Sequence, residues 1–136
     1  MVVRVVKLGS SRSEGEGVRI GTVRRPPRGV PKAQFAAKNW YDVWFPILAP
    51  SIETMKLAQT AKTPAQWASF VKRYRVEMAK PDANHAIELL AVLSQQTNFS
   101  VGCYCENYSR CHRSILKDLL AEHGATIAAN PTEKEP

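Results

Sequence analysis

The sequence predicts an α/β protein: a single domain in which a small, mostly parallel sheet is covered by helices. Three observations carry that expectation. Short runs rich in β-branched and apolar residues stand at the start of the chain and again, as F-S-V-G-C-Y, near its end. Between them lie segments with helix caps and apolar residues at helical spacing. The late run passes after a short polar stretch into an amphipathic helix, the strand-then-helix order of a parallel unit.

Taken in order, residues 2–8 read as a strand, and residues 18–23 as a second, adjacent strand after the polar turn S-S-R-S-E-G-E-G. The following R-R-P-P-R-G-V-P-K cannot be regular structure, because its three prolines fix φ and remove backbone donors. It forms a loop carrying Arg24, Arg25 and Arg28 away from the second strand. Ser51 is placed to cap a helix over 52–61, with Glu53 in its first turn. Thr63-Pro64 starts the next helix, where Trp67, Phe70, Val71, Tyr74 and Met78 make one apolar stripe suited to a core. Pro81-Asp82 ends it and begins a third, with Ile87, Leu89, Leu90 and Leu93 available for burial. A strand over 99–104 then leads to a helix over 111–123, whose apolar face is Ile115, Leu116, Leu119 and Leu120 and whose C′ residue is Gly124. Residues 125–128 are a candidate final strand. The domain is expected to span 1–129, with 130–136 as a flexible tail.

Composition narrows the class. The 136 residues, 44% hydrophobic and 23% charged, suffice for one core, and a single domain is expected. The apolar start M-V-V-R-V-V-K-L is broken by Arg4 and Lys7 and lacks a cleavage pattern, so a cytoplasmic protein without a membrane partner is expected. Three cysteines cannot all pair within the chain, and reduced thiols are the default. The net charge of +7 is concentrated: residues 1–32 hold eight basic residues against two acidic, and the remainder contributes only +1. Such a field favours an anionic partner. That partner is either a small anionic ligand or nucleotide, or DNA or RNA contacted by Arg12, Arg19, Arg24, Arg25 and Arg28. Oligomeric state is not encoded in any pattern.

The segment C-Y-C-E-N-Y-S-R-C-H-R-S, residues 103–114, concentrates the chemistry. If the strand ends near Cys103, the helix after it directs unsatisfied N–H groups into the loop, the outline of an anion site. Ser109 is the candidate helix cap, and Arg110 and Arg113 the candidate anion ligands beside Arg24 and Arg28. Arg113 can turn either to the loop or to solvent. His112 shares a face with Ile115, Leu116 and Leu119 and should lean inward.

Cys103 reads as a small buried apolar residue. Cys105 and Cys111 are the candidate nucleophiles, their thiol pKa values expected to be depressed by the helix terminus and nearby cations, with inert packing as the alternative. A Cys105–Cys111 disulfide is also sterically conceivable. Glu106 or His112 would carry the proton, although Glu106 could equally be the ion-pair partner of Arg110 or Arg113. His85 and His123 read as structural or surface residues. No cofactor and no metal are expected: C-x-C-x5-C-H lacks the separated hooks of structural zinc sites, and successive helical residues project about 100° apart. Cysteine phosphatases place an arginine six residues after the nucleophile, a register that Cys111 occupies here.

Four ordered motifs give a resemblance over roughly 18–124: P-R-G at 27–29, W-x4-A-P-S at 44–51, F-x2-R-Y-R-x-E-M at 70–78, and C-x-C-E followed by C-H-R-S at 103–114. In these the chain resembles the domain of unknown function 488 family, including its YeaO-like branch. The resemblance implies an α/β fold and a shared site containing Arg28, Glu106, Cys111, His112 and Arg113. It implies no reaction. The leading expectation is therefore a strand-end loop that binds a phosphate-bearing or other anionic ligand, with thiol-dependent transfer or hydrolysis as its chemistry if it is catalytic. The alternative is a non-catalytic nucleic-acid module.

Overall fold

A computed structural model describes residues 1–128; the tail expected over 130–136 lies outside the described residues. Four strands, β1 (Val3–Lys7), β2 (Val18–Gly21), β3 (Val43–Trp44) and β4 (Phe99–Cys103), form a sheet in the order β1-β4-β2-β3. Every pairing is parallel, with Val5 and Ile20 in register on either side of Val101. β1 and β2 are thus not neighbours. β4 lies between them because all five of its residues are buried, and a strand covered on both faces belongs in the middle. Closeness in sequence suggested adjacency, whereas burial decided the order.

Alternation along the strands separates two faces. Val3, Val5, Ile20, Phe99 and Val101 share the main core with residues of the helices. On the other side Arg19 and Ser100 are buried beside Glu16, and Gly21 receives the ring of Tyr41, which a Cβ there would strike. Helices cover one face, and the irregular segments around 10–17 and 35–42 cover the other. β3 escapes sequence reading because a two-residue exposed edge strand has no period to detect. The candidate strand at 125–128 is a single parallel bridge, Ile127 to Val3, beside β1.

The helices follow their caps. In α1 (Ile52–Thr60) the Ser51 hydroxyl accepts from the Thr54 amide at 3.2 Å. In α2 (Pro64–Met78) Thr63 and Gln66 form a reciprocal capping box, and Phe70, Tyr74 and Met78 of the expected stripe are buried. α3 (Pro81–Leu93) buries Ala83, Ile87, Leu90 and Ala91, but Leu89 and Leu93 are exposed at 58% and 39%. The buried side is a narrower stripe in which small alanines allow close approach. α4 (His112–Glu122) buries all four expected apolar residues, and Gly124 follows it at φ +100°, the left-handed conformation a C′ glycine supplies without a Cβ penalty. Truncating fully buried Leu116 or Leu120 to alanine would cost about 2–5 kcal/mol. Among the described residues no helix is long and apolar enough to cross a membrane.

Candidate functional site

In a parallel sheet all strand ends face one rim, the usual place for ligands in such folds. The rim here collects the loop after β4, the first turn of α4, and the segment leaving β2. Tyr104 ties two of these together by donating its hydroxyl to the Arg25 carbonyl at 2.9 Å. Thr22 ties β2 to β4 through its amide, 2.9 Å from the Gly102 oxygen, and its hydroxyl, 3.0 Å from the same atom.

Cys111, not Ser109, is the N-cap of α4, and its side chain caps nothing. Ser109 instead bonds to Asn107, its amide at 3.1 Å and its hydroxyl at 2.9 Å from Oδ1, within a short 3-10 helix Tyr108–Arg110. Because Cys111 is extended (φ −133°, ψ 151°), the angular separation expected of two helical residues does not apply to it and His112. Cys111 Sγ lies 3.8 Å from His112 Nδ1. It also meets Cys103 Sγ in a disulfide contact, with the two Cα atoms 7.9 Å apart. The paired sulfurs are therefore those of Cys103 and Cys111, whereas Cys105 is free and exposed.

His112 is 8% exposed, and its Nε2 is 2.7 Å from the Thr22 carbonyl oxygen. A carbonyl only accepts, so Nε2 carries the proton and Nδ1 presents a lone pair toward Cys111. Burial above all, with the charges of Arg113 and Arg24 added and the Thr22 bond opposing, lowers its pKa to about 4. Two cations from different elements thus raise the potential at one point of the rim. Arg113 is 1% exposed, donates to the Cys105 carbonyl at 3.1 Å and lies 5.6 Å from the Tyr108 ring centroid. Arg24 donates to the carbonyls of Ala49 and Pro50, at 2.9 and 3.2 Å.

The remaining predicted residues separate. Although Cys105 is exposed as a residue, desolvation of its thiol by the surrounding chain pushes its pKa up, outweighing Arg113 and a backbone hydrogen bond, so the expected depression does not occur. Glu106 pairs with Lys7 at 2.7 Å rather than with Arg110 or Arg113, and that bond holds its carboxyl low. Arg110 turns away from the loop, donating to the Ala61 carbonyl at 2.9 Å with its guanidinium 4.9 Å from the Trp67 ring centroid. Arg28 is exposed in the proline-rich turn, and the hydrogen bond joining that turn to the β4 loop is made by Arg25. Of the arginines proposed to contact nucleic acid, Arg19 is fully buried against Glu16 and Arg12 is paired with Asp42 at 2.9 Å.

Three supporting residues were missed. Tyr74 donates to the Leu48 carbonyl at 2.7 Å and sets its ring 5.6 Å from that of His112. Glu77 accepts from the Ser51 amide at 2.9 Å and the Thr54 hydroxyl at 2.7 Å, anchoring the Ala-Pro-Ser segment whose carbonyls hold Arg24. Thr22 fixes His112 through its backbone, which no side-chain pattern signals. A polar hydroxyl within an apolar helical stripe was the available clue to Tyr74.

Fold and rim together define a parallel α/β protein with cysteine, histidine and arginine gathered where its central strand meets a helix. The chain belongs to the DUF488 family: the model described as the active DUF488-N3 subclade, DUF488-N3a, matches residues 3–124. No curated protein and no solved structure matches it.

Proposed function

We propose that the rim binds a phosphate-bearing or other anionic ligand and that Cys105 is its reactive thiol. The observation that carries the reading is an exposed cysteine whose own carbonyl is held by a buried guanidinium, Arg113, with Arg24 close enough to act on the same histidine. Arg24 and Arg113 supply charge, and the first turn of α4 supplies amide dipoles of the favourable sign. In a transfer, the Cys105 thiolate displaces the leaving group, which departs with its electron pair and collects the thiol proton through solvent, and water then releases the group from sulfur.

Calorimetric titration with inorganic phosphate and with a nucleoside monophosphate tests the binding. Arg24→Ala and Arg113→Lys should each weaken it about tenfold, the loss of one charge-assisted bond, while Cys105→Ser should retain binding but lose any turnover. Failure of the wild-type protein to bind either anion, or unchanged affinity in both arginine variants, would overturn the reading.

A further inference from the structure

We propose that Cys103, Cys111 and His112 form a buried site for a thiophilic cation, with Zn2+ as the simplest occupant. Their Sγ and imidazole nitrogen atoms all lie within 4.8 Å of one another, and all three residues are buried. They come from three local conformations, the end of β4, the extended N-cap and the first helical residue. That is how neighbours in sequence converge on one point instead of diverging around a helix.

The histidine is already prepared as a ligand. Its Nε2 faces the Thr22 carbonyl at 2.7 Å, the outer contact that fixes a metal-binding imidazole, and Nδ1 faces Cys111. The backbone spacing favours two thiolates around a shared ion over a permanent disulfide. The Cα atoms are 7.9 Å apart, beyond the roughly 7 Å that one S–S bond bridges without backbone movement. Two sulfurs and one nitrogen are soft enough to select zinc over magnesium or calcium.

A dithiol reductant first takes the Cys103–Cys111 pair to two thiols by supplying two electrons and two protons; metal binding then converts these to thiolates and releases two protons, so Zn2+, two thiolates and a neutral imidazole carry no net charge. The ion therefore adds no net charge beside Arg24 and Arg113, the two cations whose charges act on His112. Three protein donors leave a fourth position, as in zinc sites that exchange a ligand. Cys105 is not among the donors, so this site and the anion reading stand or fall separately.

The test uses the full chain, reduced and purified, then loaded with Zn2+ or Co2+. One equivalent of tightly held zinc is expected by elemental analysis, and the cobalt form should show thiolate-to-metal absorption and tetrahedral ligand-field bands. Cys103→Ser, Cys111→Ser and His112→Ala should each weaken zinc binding by more than about a hundredfold, exceeding the ~10–100-fold typical of losing an outer partner. Cys105→Ser should bind as the wild type does. Substoichiometric zinc, a cobalt spectrum without thiolate bands, or a Cys103–Cys111 disulfide that survives reduction in the folded wild-type protein would each overturn the proposal. These wild-type measurements decide the matter even if a variant fails to fold.

Discussion

Arg19 and Arg113 are both buried guanidinium groups, 0% and 1% exposed, yet the regions around them differ in kind. Arg19 is clamped from all sides. Its Nε and Nη2 take the two oxygens of Glu16 at 2.8 and 3.1 Å, and its Nη1 donates to the Ser10 and Asn39 carbonyls at 2.9 and 2.8 Å. Arg113 reaches toward an exposed loop, to a carbonyl and the face of an aromatic ring. The first cation is a structural rivet that ties β2 to the segments around 10–17 and 35–42. The second holds the backbone of the loop that carries the free Cys105. Burial alone does not tell two such cations apart; the chemistry and accessibility of their partners do.

The largest effect expected from this contrast is on stability. Removing one partner of a buried ion pair leaves an uncompensated charge, so Arg19→Ala should lower unfolding free energy by about 3–5 kcal/mol in a urea titration. Arg19→Lys should lose more stability than Arg113→Lys, because a lysine cannot reproduce the two-pronged contact with Glu16. Equal losses would erase the distinction between the two regions.

A smaller effect is expected on acid stability. Burial would raise the Glu16 carboxyl, but bonds from Arg19, Ser100 and the Ser13 amide, with the charge of Arg19, outweigh it and leave its pKa lowered. A carboxylate lowered on folding contributes stability that is complete above its unfolded value of 4.5 and is lost as pH falls through the folded value. Glu16→Gln should therefore unfold more easily than wild type at pH 7, and the gap should narrow in urea titrations taken stepwise below pH 4.5. A gap that does not change with pH would place the effect in packing instead.

The smallest effect is expected at the other loop. Glu106 meets Lys7 in solvent, with 85% of the glutamate side chain exposed, so Glu106→Gln should leave the urea midpoint unchanged. In the same folded protein, iodoacetamide should modify Cys105 well before Cys103 or Cys111, read by peptide mass after quenching. Simultaneous labelling of all three would show that the rim opens.

Much of the site was legible because its residues are consecutive. The strand into Cys103, the inward face of His112 and the helix beginning beside Cys111 all follow from local periodicity. Partner choice was not legible. Glu106 chose Lys7 across 99 residues of sequence, and Arg110 chose a helix end and Trp67, because reach and competition among cations are settled only once the chain is packed.

Periodicity, caps and prolines by themselves determined the helices, the three longer strands and the basic loop, since these depend on interactions within a few residues. Tertiary structure alone decided that β4 separates β1 from β2, that Arg19 is sealed inside, and that Cys111 meets Cys103 rather than Cys105. The physical reason is common to all three. Each is a choice among distant partners of similar chemistry, and only the sheet register and the burial of the central strand make one partner closer than the rest.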